Sequence, residues 1–330
     1  MELSAFSVVD AYPEEGPARD RYRELLELGE ACDGAGFSAM WVAEHHFHPG
    51  GLCPAPPVLL AALGQRARRL RLGVLVTVLP FHSPIELAEQ YGLLDQLLGG
   101  RLNLGVGSGY IPLEFEGFGV PLSEKRERFE THLDLLRAAF RGEEVRLPTP
   151  GAVPVRLNVR PRQTPHPPIT VAVQRRDAVR HLGARGLPIA LIPYATLGSV
   201  AELGEEIREY RAALPPGTPG RVAVAVHVYA GERVGSARAA LQRYLDGRLA
   251  TQSTNYQARV AHDPRQATAG AIEASGFAVL GAPDGVADRL HAFERAGVDE
   301  LLGIFDFGGL AADEVLSSVR AVGRAWTARP

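Results

Sequence analysis

Eight apolar runs of strand length are separated along this chain by longer segments of helical period. A strand covered on both faces reads as a near-continuous apolar run, whereas a helix packed on a sheet repeats its apolar residues three to four positions apart. Such alternation is the pattern of βα units around a parallel sheet. The expected strands are residues 3–9, 38–42, 72–78, 102–106, 169–173, 189–192, 222–229 and 300–306. The expected helices are residues 20–32, 57–68, 85–98, 123–140, 177–184, 200–213, 236–244, 283–296 and 311–326. Pro57 stands in the first turn of the second helix, Gly99 and Gly100 come after the third, and Ser123 in "SEKRE" offers the fourth an N-cap. Eight strands each followed by a helix favour a closed (β/α)8 TIM barrel over an open doubly wound sheet. The chain's 330 residues fit one such domain, residues 1–330, made of a barrel of roughly 250 residues with insertions.

Two stretches break the repeat. Residues 141–168, after strand four, are rich in proline and hold one alternating run, "VRLNV", so a short strand or hairpin is expected there. Residues 247–282, between strands seven and eight, are polar, irregular and punctuated by glycine. A segment that long without structure of its own is a candidate lid.

Composition narrows the function classes. A formal net charge of −3, with 46% apolar and 22% charged residues, carries no bulk bias toward nucleic acid or an anionic membrane. No apolar run reaches the roughly 18 residues that span a bilayer, and the N-terminal stretch lacks the basic and apolar regions of a secretory signal. Cys32 and Cys53 make neither a disulfide framework nor a CxxC motif, which suits a reducing compartment. A cytoplasmic protein that binds neither nucleic acid nor membrane is expected.

On a barrel, chemistry belongs at the C-terminal ends of the strands, so the residues that leave each strand are the candidates for a site. Strand two ends in "WVAEHHFHPGG", which brings Glu44, His45, His46 and His48 to the rim; strand three ends at Thr77. Strand four opens as "LNLGVGSGY", where Gly105, Gly107 and Gly109 leave bare backbone for a flat ring or a phosphate, or else serve packing and a tight turn. Strand five ends in "VAVQRRDAV", placing Gln174, Arg175 and Arg176 at a helix N-terminus, where an anion is favoured. His45, His46 and His48, with Cys53 nearby, are of metal-ligand type. Successive residues leaving a strand point to opposite sides, however, and neither an HxH pair within a strand nor HExxH is present, so no metal is expected. Structural roles and catalysis by one histidine both stay open on the residues alone. Tyr110, Phe115, Phe118, Tyr194 and Phe307 are candidates to line a largely apolar pocket.

The segments "GFSAMWVAEHHF", "GVLVTVLPFHSPIELAEQYGLLDQLLGGRLNLGVGSGY" and "LGAPDGVADRLHAFERAGVDELLGIFDFGG" resemble the bacterial luciferase-like flavin monooxygenase family, in order and over almost the whole chain. The resemblance implies a (β/α)8 barrel that binds reduced FMN and uses dioxygen, through a C4a-peroxyflavin, to oxidise a small, largely apolar organic substrate. A separate NAD(P)H-dependent flavin reductase supplies the cofactor. It also implies a homodimer formed through the helices that start near Pro57 and Ile85. His45 takes the position of the catalytic histidine, Glu44 lies beside the flavin, and a cis peptide under the ring falls around Leu75 and Val76. On this reading FMN is bound by Glu44, Val76, Thr77, Ser108, Gly109, Tyr110, Gln174 and Arg175.

The sequence departs from the light-emitting members of that family. Gly107 replaces the reactive cysteine, Ser108 the phosphate-binding arginine, and Val173, Gln174 and Asp177 the phosphate site after strand five. Phosphate binding is therefore expected from Ser108, neighbouring amides and Arg175 or Arg176, and light emission is not expected. The alternatives are a deazaflavin-dependent oxidoreductase of the same superfamily, a non-catalytic flavin-binding barrel, and a metal-dependent barrel hydrolase.

Overall fold

Strands that are apolar along their whole length, such as "VAVAVHVYA", have to be covered on both faces, and helices supply the outer cover here. A computed structural model describes residues 1–12, 18–48, 50–174, 176–251 and 267–328. Its strands are β1 (Glu2–Ser7), β2 (Ala39–Val42), β3 (Arg71–Val78), β4 (Leu102–Gly107), β5 (Ile169–Val173), β6 (Ile189–Leu191), β7 (Val222–Ala230), β8 (Ala278–Gly281) and β9 (Glu300–Ile304). The helices are α1 (Ala18–Gly34), α2 (Pro56–Arg66), α3 (Pro84–Leu97), α4 (Pro112–Gly117), α5 (Lys125–Phe140), α6 (Arg176–Ala184), α7 (Val200–Ala212), α8 (Val234–Thr251), α9 (Ala269–Ser275), α10 (Pro283–Ala296) and α11 (Ala312–Thr327).

All strand pairings between these elements are parallel. Strands β1 to β7 lie side by side in chain order, β7 pairs with β9, and β9 returns to β1 with Leu3 opposite Leu301. The ring of β1–β7 and β9 is therefore a closed eight-stranded (β/α)8 barrel. At its lower end the buried Glu300 carboxylate accepts from Ser4 Oγ at 2.7 Å and Trp41 Nε1 at 2.9 Å. These bonds tie three strands together at the end where barrels carry stability rather than chemistry.

The strand β8 was not expected. Strand β7 is nine residues long, while its barrel neighbours β6 and β9 have three and five. Its upper end would thus present unpaired backbone groups, and β8 satisfies them, with His227 opposite Ala278 and Ala230 opposite Gly281. The two ends of the candidate lid at 247–282 carry secondary structure of their own. Helix α8 runs on to Thr251, α9 and β8 fill 269–281, and residues 252–266 lie outside the described residues. In the insertion at 141–168, Val145 and Val155 form one antiparallel bridge, so "VRLNV" contributes a contact point rather than a strand. Ser83 caps α3 by accepting from Glu86 N at 3.5 Å. Ser123 caps nothing, because residues 122–124 form a 3-10 turn leading into α5. Among the described residues no helix is long and apolar enough to cross a membrane.

Strands β3 and β4 come closest where the barrel meets the site. Their register shifts between Val74 and Thr77, and the Leu75–Val76 peptide is cis. A Cβ at Gly105 would lie 2.4 Å from Val74 O, and one at Gly107 2.6 Å from Val76 Cγ2. Gly105 is thus required by the approach of the β3 backbone, and Gly107 by the Val76 side chain. Replacing Gly105 with Ala is expected to lower stability by about 2 kcal/mol, since a fixed backbone oxygen cannot yield as a side chain would. A urea midpoint equal to that of the wild type would contradict this contact.

Candidate active site

A cavity of about 570 Å³ opens over the C-terminal ends of the strands. Its walls come from β1 (Phe6), the end of β2 (Ala43, Glu44, His45), β3 (Leu75, Val76, Val78) and β4 with its loop (Gly107 to Tyr110). Helix α8 closes part of it with Tyr244 and Arg248. That volume suits a cofactor with a small substrate.

The loop after β2 is built around two buried carboxylates. Glu114, from the short helix α4, accepts on Oε1 from His45 Nδ1 at 3.1 Å, His46 N at 3.0 Å and His48 Nε2 at 3.3 Å. Burial alone would raise its carboxyl, but the bonds from His45 and His48 outweigh burial and hold it at about 2. Glu44 accepts on Oε1 from His82 Nε2 at 2.7 Å and His46 Nε2 at 3.0 Å, while its Oε2 accepts from Val78 N at 3.3 Å. Burial again works against ionisation, and the bonds from His46 and His82 prevail, so Glu44 titrates below the usual carboxylate range. His82 is shifted the other way: burial lowers it, and the Glu44 bond more than compensates, raising it above the ordinary imidazole value.

His45 faces the cavity and is buried on the remaining sides. Burial lowers its pKa more than Glu114 raises it, and the nearby Arg248 charge lowers it further. The ring is therefore neutral at pH 7. With Nδ1–H donating to the ionised Glu114, the lone pair lies on Nε2, which accepts a long bond of 3.5 Å from Arg248 Nη1.

The structure brings Glu44, His45, Val76, Ser108, Gly109, Tyr110 and Gln174 to this one cavity. Thr77 is absent from its lining: the side chain is fully buried behind the wall, with its hydroxyl bonded to Tyr91 of α3. Arg175 lies outside the described residues. Arg176 leaves the site altogether, its Nη2 pairing at 2.6 Å with Glu209 on the exposed outer face. Of the five aromatic candidates, Tyr110 and Tyr194 line the cavity. Phe115 packs on Phe81 with centroids 4.8 Å apart, Phe118 stacks on the same ring at 4.8 Å, and Phe307 lies against His227. Phe115 and Phe307 are core, and Phe118 is half-buried.

Several lining residues carried no sequence signal of their own. Glu114 sits in "PLEFEG", a stretch too short for helical periodicity, and Arg248 lies within a long helix far along the chain. Lys125, the chain's single lysine, and Arg126 reach the cavity from the start of α5. Together with Ser108 and Gln174 they add polar and basic groups to a lining that also holds Glu130 and Asp177, while Phe6, Val8, Leu75 and Val76 supply apolar surface. A group with a flat apolar ring and a phosphate matches that mixed lining. The trios Glu44, His46, His82 and His45, His48, Glu114 are close enough to hold a metal ion. In each, one carboxylate oxygen already receives both ring nitrogens at hydrogen-bond distance.

Comparison with known proteins bears on what such a cavity holds. Residues 1–300 match the luciferase-like monooxygenase family model. The 4-hydroxyprotoasukamycin monooxygenase of Streptomyces nodosus subsp. asukaensis is 34% identical over 177 residues, 52% of this chain and 46% of that protein. Across the curated relatives it matches, the chain spans about half their length. A monooxygenase structure from Streptomyces bottropensis is 25% identical with a TM-score of 0.80, and the match covers 99% of each chain. The oxygenating constituent of 3,6-diketocamphane monooxygenase of Pseudomonas putida, solved in complex with FMN, is 18% identical with a TM-score of 0.80, covering 98% of this chain and 97% of that one, a likeness of fold.

The Glu114 cluster makes stability depend on acid. A carboxyl depressed to about 2 in the fold contributes stability that is present above its ordinary value of 4.5 and is lost as pH falls toward 2. Glu114→Gln is expected to flatten that acid limb by on the order of 2 kcal/mol, read from urea melts at pH 7 and pH 3. Parallel wild-type and variant curves across that range would show that Glu114 is not ionised in the fold.

Proposed function

This chain belongs to the luciferase-like monooxygenase family, and we propose that it is an FMN-dependent monooxygenase that oxidises a small, largely apolar organic substrate. A separate NAD(P)H-dependent reductase delivers the reduced flavin. The observation that carries the reading is His45: a buried, neutral imidazole of defined tautomer, facing a cavity lined by apolar, polar and basic side chains together. Leu75, Val76 and Glu44 would lie along the flavin ring, and Ser108, Gly109, Tyr110 and Gln174, with Lys125 and Arg126, would hold the phosphate end. Reduced FMN, when bound, supplies the electrons that activate dioxygen for insertion into the substrate.

The chain's own groups then have separable tasks. Phe6, Val8 and the β3 wall exclude water, which strengthens every polar interaction inside. Glu114 fixes the His45 tautomer, so Nε2 is the atom that takes a proton from a substrate hydroxyl and returns it. His45→Ala is expected to bind FMN within about threefold of wild type while product formation falls by about 10² or more. Unchanged product yield would remove His45 from the mechanism. Because the folded pKa is below 6.5, kcat/KM should be flat around neutrality and decline only as pH falls beneath that value. An inflection above pH 7 would assign the titration to another group. Turnover with reduced FMN and dioxygen, run beside reduced deazaflavin without oxygen, tests the cofactor; activity with deazaflavin alone would replace this reading.

Helices α2 and α3 pack side by side, and Val58, Leu93 and Leu97 stand on their exposed faces. A homodimer through those faces covers apolar surface that water otherwise meets. The two free, buried cysteines are compatible with the cytoplasm. Leu93→Glu combined with Leu97→Glu should yield a monomer by light scattering. A wild-type protein that is already monomeric at micromolar concentration would refute the dimer.

A further inference from the structure

Among the described residues, Arg248 is a buried cation without a counter-ion. It is 3% exposed on α8, lines the cavity, donates from Nη2 to Gly50 O at 2.8 Å and lies 5.1 Å over the Tyr244 ring. Arg21, a partly buried arginine near this rim, sits 2.7 Å from Asp306 and 3.7 Å from Asp10. No carboxylate of a described residue comes that close to Arg248. Asp10, the acid whose charge it feels, is already held by the Tyr12 hydroxyl at 2.5 Å and by Arg21.

The groups facing it supply no negative charge. His45 is neutral, and burial followed by the Arg248 charge pushes His227 down to about 3, so that ring is neutral too. Tyr110, burial having pushed it up to about 12, is a phenol, and Tyr194 and Tyr244 pair hydroxyl to hydroxyl at 3.5 Å. An unpaired buried cation is costly, and a site that keeps one gains from an anion that enters. The guanidinium is planar and always charged, and it matches a carboxylate through two parallel bonds.

Resting on the flavin reading above, we propose that Arg248 anchors the substrate through an acidic group, so that the substrate class is an organic acid with an apolar body. The acid binds at Arg248 beside His45, and its hydrocarbon portion lies against the apolar wall of β1 and β3. Arg248 is thus a specificity-determining residue. On that reading Lys125 and Arg126, which line the cavity from a different helix, α5, would hold the cofactor's phosphate.

The test uses purified full-length protein, with and without oxidised FMN, and matched neutral and anionic probes: benzoate against benzamide, 1-naphthoate against 1-naphthamide, and octanoate against octanamide. Calorimetry at pH 7.5 should give wild type at least about a tenfold preference for the acid in one pair or more. Arg248→Met should abolish that preference and leave amide binding unchanged, and Arg248→Lys should keep part of it. Circular dichroism melts establish that both variants are folded. Failure of every acid to bind wild type, equal binding of acid and amide, or a preference that survives Arg248→Met would each overturn the proposal. So would an Arg248→Met protein that no longer prefers FMN to riboflavin, since the anion served would then be the cofactor's. Absence of FMN binding in wild type with the acid preference intact would instead overturn the flavin reading and leave the Arg248 assignment standing.

Discussion

A carboxylate removed from water stays ionised only where the fold brings donors to it, and Glu114 and Glu44 meet that requirement by tying separate βα units together. Glu114 rides on α4 after β4, yet it takes three N–H groups from the loop after β2. Glu44, at the end of β2, reaches Val78 N at the end of β3 and His82 in the turn beyond. His46 belongs to both clusters, its backbone N–H to Glu114 and its ring to Glu44. Loops at a barrel rim are ordinarily its most mobile parts, and here the position of the cavity wall is set by two buried charges. The positive φ of Phe47, at 64°, lies inside this knot of contacts.

The same dependence reaches down into the barrel. Glu44 fixes the end of β3, the strand whose register against β4 shifts between Val74 and Thr77. Gly105 and Gly107 let β4 lie against that irregularity, because a Cβ at either would collide with β3. These glycines thus serve strand packing at the site, while Gly109, at φ 76°, makes the turn that presents Tyr110 to the cavity. Of the two readings that the "GVGSG" run admits, packing accounts for the first two glycines and backbone conformation for the third.

Legibility in the sequence extends as far as periodicity does. All eight barrel strands are legible because parallel strands buried on both faces are apolar throughout, and the long helices because their pattern runs for three turns or more. Helix α4, six residues of "PLEFEG", and strand β8, four residues of "AVLG", are too short to show a period, and β8 exists only because β7 outruns its neighbours. His45 is visible as a polar residue at a strand end. Glu114, its partner 69 positions away, is not, because that pairing is a product of the closed barrel. Arg248 is one arginine in a chain rich in them, and only burial distinguishes it. Aromatic rings at the rim mislead for the opposite reason: Phe115, Phe118 and Phe307 carry large apolar surface, and packing it against other rings outweighs any position near the mouth.

His45 shows why the two outlying residues matter together. Glu114 by itself would favour an imidazolium, and a charged ring has no lone pair to offer. Burial and Arg248 act against that charge, so the ring remains neutral even while hydrogen-bonded to an ionised carboxylate. Neither opposing influence selects a tautomer; Glu114 does, by claiming Nδ1–H and leaving Nε2 as the acceptor. The guanidinium that adds to burial in keeping the ring unprotonated is therefore the charge an incoming anion would neutralise. An acid bound at Arg248 would weaken its repulsion of a proton on Nε2, making His45 more basic once the site is filled. Ligand entry and proton affinity are in this way linked through a single contact between α8 and the loop after β2.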